Sequence, residues 1–199
     1  RGNHEIVSAL ADGGANLNAT TTGPYGGFTP LGSAIHEGHP ETVRVLVVKG
    51  ADPNLKPCDH LATTLARWEA FVATPLFMAR KQGCTGIVKI LIDGGADHNI
   101  RNAKGQTVLH ESVTDISMLK CLLDNGADLS ATDNKGRTPR DIVVAKFNKH
   151  GWVGYKESIT AIDTHIAQVN SESRMTASTA RQKGLPEVMD GEIMAFLTH

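Results

Sequence analysis

Aromatic residues make up 5% of the 199 residues, and only three cysteines are present. Cys58, Cys84 and Cys121 stand at unrelated spacings, so they build neither a disulfide framework nor a CxxC metal pair. A reducing compartment, cytoplasm or nucleus, is the expectation from unpaired cysteines without a signal segment. A dominant charge is missing too: 20 Lys and Arg face 21 Asp and Glu, a formal net charge of -1. That balance removes the electrostatic footprint of a general nucleic-acid binder. Apolar clusters such as Val45 to Val48 fall far short of the roughly 18 residues a membrane span needs. No GxSxG, P-loop, HExxH or paired-carboxylate signature occurs, so no catalytic, cofactor or metal residue is assigned. With 40% hydrophobic residues the chain has the composition of an ordinary globular protein, large enough for a core without staples.

What the sequence does contain is a repeat. Gly-Ala followed by an acid or amide occurs at Gly14-Ala15-Asn16, Gly50-Ala51-Asp52, Gly95-Ala96-Asp97 and Gly126-Ala127-Asp128. Between them stand Thr29-Pro30, Thr74-Pro75, Thr107-Val108 and Thr138-Pro139. From each Thr to the next Gly-Ala the interval is 21, 21 and 19 residues. From each Gly-Ala to the next Thr it is 15, 24, 12 and 12. One interval is nearly constant and the other varies, which is the asymmetry of stacked units whose helices keep register while their loops do not.

Each unit reads as a helix pair. Thr at an N-cap with Pro in the first turn starts the first helix, because proline lacks only an N–H that would be unpaired there. Ala34 is small enough for a neighbouring helix to approach, and Gly38 ends the helix. A second helix runs from Pro40 with Val43, Leu46 and Val47 as its buried stripe, and Gly50 stops it. Ala51-Asp52-Pro53-Asn54 then supplies a turn.

This pattern resembles the ankyrin repeat: Thr29-Pro30-Leu31, Gly38-His39, Glu41, Val43, Leu46 and Gly50-Ala51-Asp52. It recurs from Thr74-Pro75-Leu76 to Gly95-Ala96-Asp97 and from Gly105, Thr107 and Leu109-His110 to Gly126-Ala127-Asp128. Gly136-Arg137-Thr138-Pro139-Arg140-Asp141-Ile142 looks like a terminal copy. The resemblance implies an all-α ankyrin-repeat solenoid of stacked helix-turn-helix units with loop or β-hairpin fingertips, followed by C-terminal helices. The repeat domain is expected over 1–169, with about four repeats, the first truncated. Gly2-Asn3-His4-Glu5-Ile6-Val7 matches the turn and second helix of a repeat, so Ile6, Val7 and Leu10 lack their partner helix as written. The expectation is a piece of a longer chain. His110 falls where the family's histidine links neighbouring loops by hydrogen bonds.

Three segments depart from the pattern. The insertion at 55–73 can hold a helix over about His60 to Val72, capped by Asp59, with Leu61, Leu65, Trp68 and Phe71 or Val72 on one face. Trp68 either anchors a partner or folds back onto the solenoid. Tyr25-Gly26-Gly27-Phe28 is a shorter insertion at the same edge. Cys58-Asp59-His60 groups three metal-capable side chains, but neighbours in sequence diverge in direction and no second cluster stands at ligand spacing. Cys121 reads as core and Cys84 as structural. The stretch 170–199 reads as a Ser/Thr-rich linker and an amphipathic helix. Leu185-Pro186-Glu187-Val188 resembles the opening of an F-box, which implies docking on a ubiquitin-ligase adaptor; packing of that helix on the last repeat is the other reading.

The architecture implies a protein-interaction module, a scaffold part without enzymatic activity. A substrate receptor of a ubiquitin ligase is the alternative, and an enzyme pocket beside the 55–73 insertion a third reading. By repeat position the exposed partner contacts are His36, Glu37, Lys81 and Gln82 at first-helix ends. At the fingertips they are Arg101, Lys104, Gln106, Asn134, Lys135 and Arg137, with Trp68 from the insertion. Together with Arg80 the cations make a basic edge on a neutral chain, suited to an acidic partner segment.

Overall fold

Threonine opens the first helix of each repeat. In the computed structural model, which describes residues 3–20, 28–56 and 74–182 (side chains to 175), Thr29 Oγ1 accepts the Gly32 N–H at 3.0 Å. Thr138 and Asp141 cap each other: Asp141 N donates to Thr138 Oγ1 at 3.2 Å, and Thr138 N donates to Asp141 Oδ2 at 2.9 Å. These bonds satisfy donors that a helix start leaves orphaned. The hydrogen bond donated by the Thr138 backbone N–H is the leading cause that holds the Asp141 carboxyl below its ordinary pKa. Thr74 is the exception, its buried Oγ1 having no hydrogen-bond partner among the described residues.

The first helices are α2 (Pro30–His36), α4 (Pro75–Lys81), α6 (Val108–Ser112) and α8 (Pro139–His150). The second helices are α1 (His4–Asp12), α3 (Pro40–Val48), α5 (Thr85–Asp93) and α7 (Ile116–Asp124), and α9 (Val153–Gln182) follows α8 in the chain. Packing is between like members: α2, α4, α6 and α8 form one row, α1, α3, α5 and α7 the other. Helix pairs α2/α3, α4/α5 and α6/α7 close each repeat. No strand occurs among the described residues, so the fingertips are tight turns without β-pairing. The all-α solenoid expected from the sequence is therefore what the chain forms.

Between the rows lies the core, lined by Leu31, Ile35, Val43 and Leu46, then Leu76, Ala79, Val88 and Leu91, then Leu109, Leu119 and Leu122. Every one of these is nearly inaccessible to water, which makes core burial the main favourable contribution to folding. Val47 is only half-buried, at the margin of the stripe predicted for α3. On α1, Ile6 and Leu10 are 55% and 58% exposed.

The chain divides into two units, residues 1–159 and 160–199. In the second unit α9 continues as helix to Gln182, so the Ser/Thr-rich stretch read as a linker is helical as far as that residue. Its hydroxyls explain why: Thr164 donates to Thr160 O, Ser171 to Gln168 O and Ser173 to Val169 O, at 2.7, 2.7 and 2.9 Å. A hydroxyl bonded back to its own helix no longer competes for the backbone. Residues 171–175 are exposed. The predicted insertion helix with Trp68, the Cys58-Asp59-His60 cluster, the Tyr25-Gly26-Gly27 tip and the F-box-like Leu185 to Leu197 all lie outside the described residues.

Candidate functional site: fingertips and first-helix ends

Two fingertips are built on the same plan. In one, Asn102 Oδ1 accepts the N–H groups of Lys104 and Gln106 at 2.9 and 3.0 Å, while Asn102 N donates to Gln106 O at 2.9 Å. In the next, Asp133 Oδ1 accepts from Lys135 N and Arg137 N at 2.9 and 3.0 Å, while Asp133 N donates to Arg137 O at 2.9 Å. A short polar side chain that organises its own turn leaves the residues between it free to project. The tips also bond each other: Asn134 N donates to Lys104 O at 3.0 Å and Asn134 Nδ2 to Ala103 O at 3.1 Å. Gly105, at φ 71°, sits where a Cβ would come 2.2 Å from Asn134 Oδ1. The tips are thus held at a spacing only glycine permits.

His110 ties this turn to the helix behind it. Its Nδ1 accepts the Thr107 N–H at 3.1 Å, which leaves the proton on Nε2 to donate to Arg137 O at 3.1 Å. The ring is buried, and burial holds its pKa below the ordinary 6.5 against the raising effect of the Arg137 carbonyl. A neutral imidazole linking adjacent loops is what the sequence resemblance implied.

Several predicted contacts are structural instead of free. Arg137 is half-buried and gives Nε and Nη2 to Asp133 Oδ2 at 3.1 and 2.7 Å. That guanidinium is the largest cause holding the Asp133 carboxyl far below its usual range. Arg80 is also half-buried, donating to Glu111 O and lying 3.4 Å from Glu111 Oε2. Asn102 Nδ2 completes that carboxylate at 2.9 Å from Oε1. Lys146 of α8 faces the same pair, and burial, aided by Arg80, lowers its pKa. Gln106 is half-buried in its turn. Sequence register predicted these side chains at the surface, yet it carries no information on which cation finds a carboxylate one repeat away. Asp133, Glu111 and Lys146 are the residues sequence reasoning missed. Asp133 is signalled by its place four residues before Arg137.

The remaining candidates keep their surface positions. His36, Glu37, Lys81, Arg101, Lys104, Asn134 and Lys135 are exposed, as is Gln82, whose Nε2 donates to His36 O at 2.9 Å. Arg101 reaches the Thr132 carbonyl at 2.5 Å and remains exposed. Lys81, Lys104 and Lys135 make no side-chain hydrogen bond or ion pair among the described residues. Cys84 is half-buried at the N-cap of α5, and its Sγ lies 3.8 Å from Gln82 O. Cys121, expected in the core, is half-buried, and burial pushes its thiol pKa up. It lies on α7 toward the edge of the stripe filled by Met118, Leu119 and Leu122. Among the described residues no group of three or more His, Cys, Asp or Glu is placed to hold a metal, and no helix is long and apolar enough to cross a membrane.

Comparison with known proteins agrees with this construction. A profile of three ankyrin repeats matches residues 1–57 and 60–148. The Drosophila melanogaster protein mask, an ankyrin repeat and KH domain-containing protein, is 33% identical over 109 residues, or 55% of this chain and 2% of its own length. Human ankyrin repeat and KH domain-containing protein 1 is 35% identical over 107 residues, covering 54% of this chain and 4% of that protein. A putative ankyrin repeat protein of Acanthamoeba polyphaga mimivirus is 35% identical over 104 residues, covering 51% and 56%. The chain therefore spans a few per cent of the first two relatives and about half of the third. A repeat pattern, a two-row helical stack and a family profile over most of the length converge: the chain belongs to the ankyrin-repeat family, whose repeats serve as protein-interaction modules.

Proposed function

We propose that this chain is the partner-binding part of a protein scaffold and takes an acidic segment of a protein along its fingertips and first-helix ends. The observation that carries the reading is the division of labour among the cations. Arg80 and Arg137 are spent on Glu111 and Asp133, whereas Lys104 and Lys135 stand exposed and unpaired at successive fingertips with Arg101 beside them, and Lys81 stands exposed and unpaired at the C-terminal end of α4. A row of uncommitted cations on a pinned backbone steers an acidic chain and sets its register. The pinned turns also reduce the ordering cost of binding. Gln106 and Asn134 supply polar contacts at the fingertips, and His36, Glu37 and Gln82 supply further contacts at the C-terminal ends of the first helices. A cytoplasmic or nuclear location fits the reading.

Affinity purification with mass spectrometry identifies partners, each then titrated against the K81E/K104E/K135E variant. Affinity at least tenfold weaker, with a weaker salt dependence, is expected. Equal affinity for every partner rejects the basic edge as the binding surface.

A further inference from the structure

A second surface lies at the opposite ends of the first helices, where each turns into its second helix. Three of these turns carry a positive-φ glycine, Gly38, Gly83 and Gly151, and the residue after it starts the next helix. His39 and Cys84 occupy that position in the earlier repeats and are half-buried, whereas Trp152 occupies it in the last and is 66% exposed. Beside it Val153 is 71% exposed. The indole lies on Tyr155 with ring centroids 5.8 Å apart and planes 8° from parallel, so one face is fixed and the other faces water. His150 approaches its side at 6.1 Å.

Helix length brings this corner forward. All four first helices start at the same Thr register, yet α8 has 12 residues where α2 and α4 have 7. At the helical rise the extra residues carry the end of α8 about 7.5 Å further along its axis. The Trp152–Tyr155 stack therefore stands beyond the turns of the preceding repeats. Residues 146–156 contain Lys146, Lys149 and Lys156 and no Asp or Glu, the first acid being Glu157. Lys146 faces Arg80 and Glu111, whereas Lys149 and His150 are exposed in the last turn of α8, just before the indole in sequence.

A rigid aromatic with an open face, an adjoining exposed Val and an exposed lysine in the preceding helical turn is the anatomy of an interface anchor. We infer that the α8–α9 corner docks a second protein segment, acidic and bearing one aromatic or aliphatic side chain that covers Trp152 and Val153. Charge complementarity sets the acidic character, and the apolar pair sets the anchor. A single-stranded nucleic acid needs a cationic groove that tracks successive phosphates. Here one stack stands on a projecting corner, which fits a short peptide better. The surface is separate from the fingertips and does not depend on them.

The test uses the full chain with W68F, which leaves Trp152 as the sole indole. Probes are 12-residue Asp/Glu-rich peptides with a central Phe or Leu, the same peptides with Asn/Gln for the acids, and a dT oligonucleotide of equal length. A saturable change in Trp152 emission with the acidic peptides is expected. By anisotropy of labelled peptide, W152A and K149E each weaken binding at least tenfold with unchanged helical circular dichroism, while K104E leaves it unaltered. Should W152A lose helix, K149E/H150E on exposed side chains decides in its place. The inference is overturned if no acidic peptide saturates, if the neutral peptides or the oligonucleotide bind as well, or if W152A binds like the parent. Loss in K104E alone also overturns it, by returning the binding to the fingertips.

Discussion

Gly105 and Gly136 form a matched pair for measuring what the fingertip spacing is worth. Both hold φ 71° and both close a tip turn, but the space around them differs. A Cβ on Gly136 meets nothing within 4 Å, whereas one on Gly105 falls 2.2 Å from Asn134 Oδ1 and 2.8 Å from Asn134 N. Gly136→Ala therefore loses only the left-handed preference, about 1–2 kcal/mol. Gly105→Ala loses the same and must also push Asn134 away, weakening its bonds to Lys104 O and Ala103 O. Overpacking of this kind costs a further ~1–3 kcal/mol. Urea unfolding followed by circular dichroism reads both variants, with the midpoint of G105A below that of G136A. Asn134→Ala in each background provides the cycle, because it removes the side chain but keeps the amide that the new methyl meets. Partial relief in G105A and none in G136A is expected. Equal destabilisation by the two glycine substitutions would refute the close approach of the tips.

Acid should loosen the turn behind those tips. Since His110 has its pKa lowered by burial, the unfolded chain binds the extra proton first, and stability declines as pH falls below the ordinary 6.5. The slope approaches about 1.4 kcal/mol per pH unit for that site, and His110→Gln flattens it in urea midpoints measured between pH 7 and 5. Asp133 acts in the same direction at lower pH, its stabilising pair with Arg137 disappearing as pH drops below 3.8, and D133N removes that second decline. In the core, Leu119→Ala, at a side chain with no exposure, should cost about 2–5 kcal/mol in the same unfolding assay. Loss below about 1 kcal/mol there would mean that α7 is not held by the stripe assigned to it.

The repeat frame was legible because its signals are local. Thr with Pro opens a helix and Gly closes one through backbone conformations that few other residues share, and the apolar stripes of α3, α5 and α7 follow a helical period. Pairings across repeats were not legible. Arg80 meets Glu111 and Asn134 meets Ala103 at separations of 31 residues, so charge and register alone assign these residues to open surface. Trp152 was passed over for the opposite reason, since an aromatic at a helix start is ordinary until its exposure is known. The helix through 171–182 was hidden by composition, because Ser and Thr suggest a linker unless their hydroxyls bond back within the helix.

Successive Gly-Ala-Asp turns are stitched by a side chain of the preceding turn, an asparagine at the first two boundaries. Asn18 Oδ1 accepts from Asp52 N at 2.9 Å and Asn54 Oδ1 from Asp97 N at 2.8 Å, each across a repeat boundary. At the third boundary His98 Nε2 donates to Gly126 O at 3.2 Å in place of the asparagine bond. The Asp52 and Asp97 amide hydrogens are therefore exchange reporters for single junctions, released to deuterium only when two neighbouring repeats part. In a linear array, whose cooperativity is the sum of such nearest-neighbour couplings, two amides suffice to tell whether the stack opens from one end or breaks in the middle.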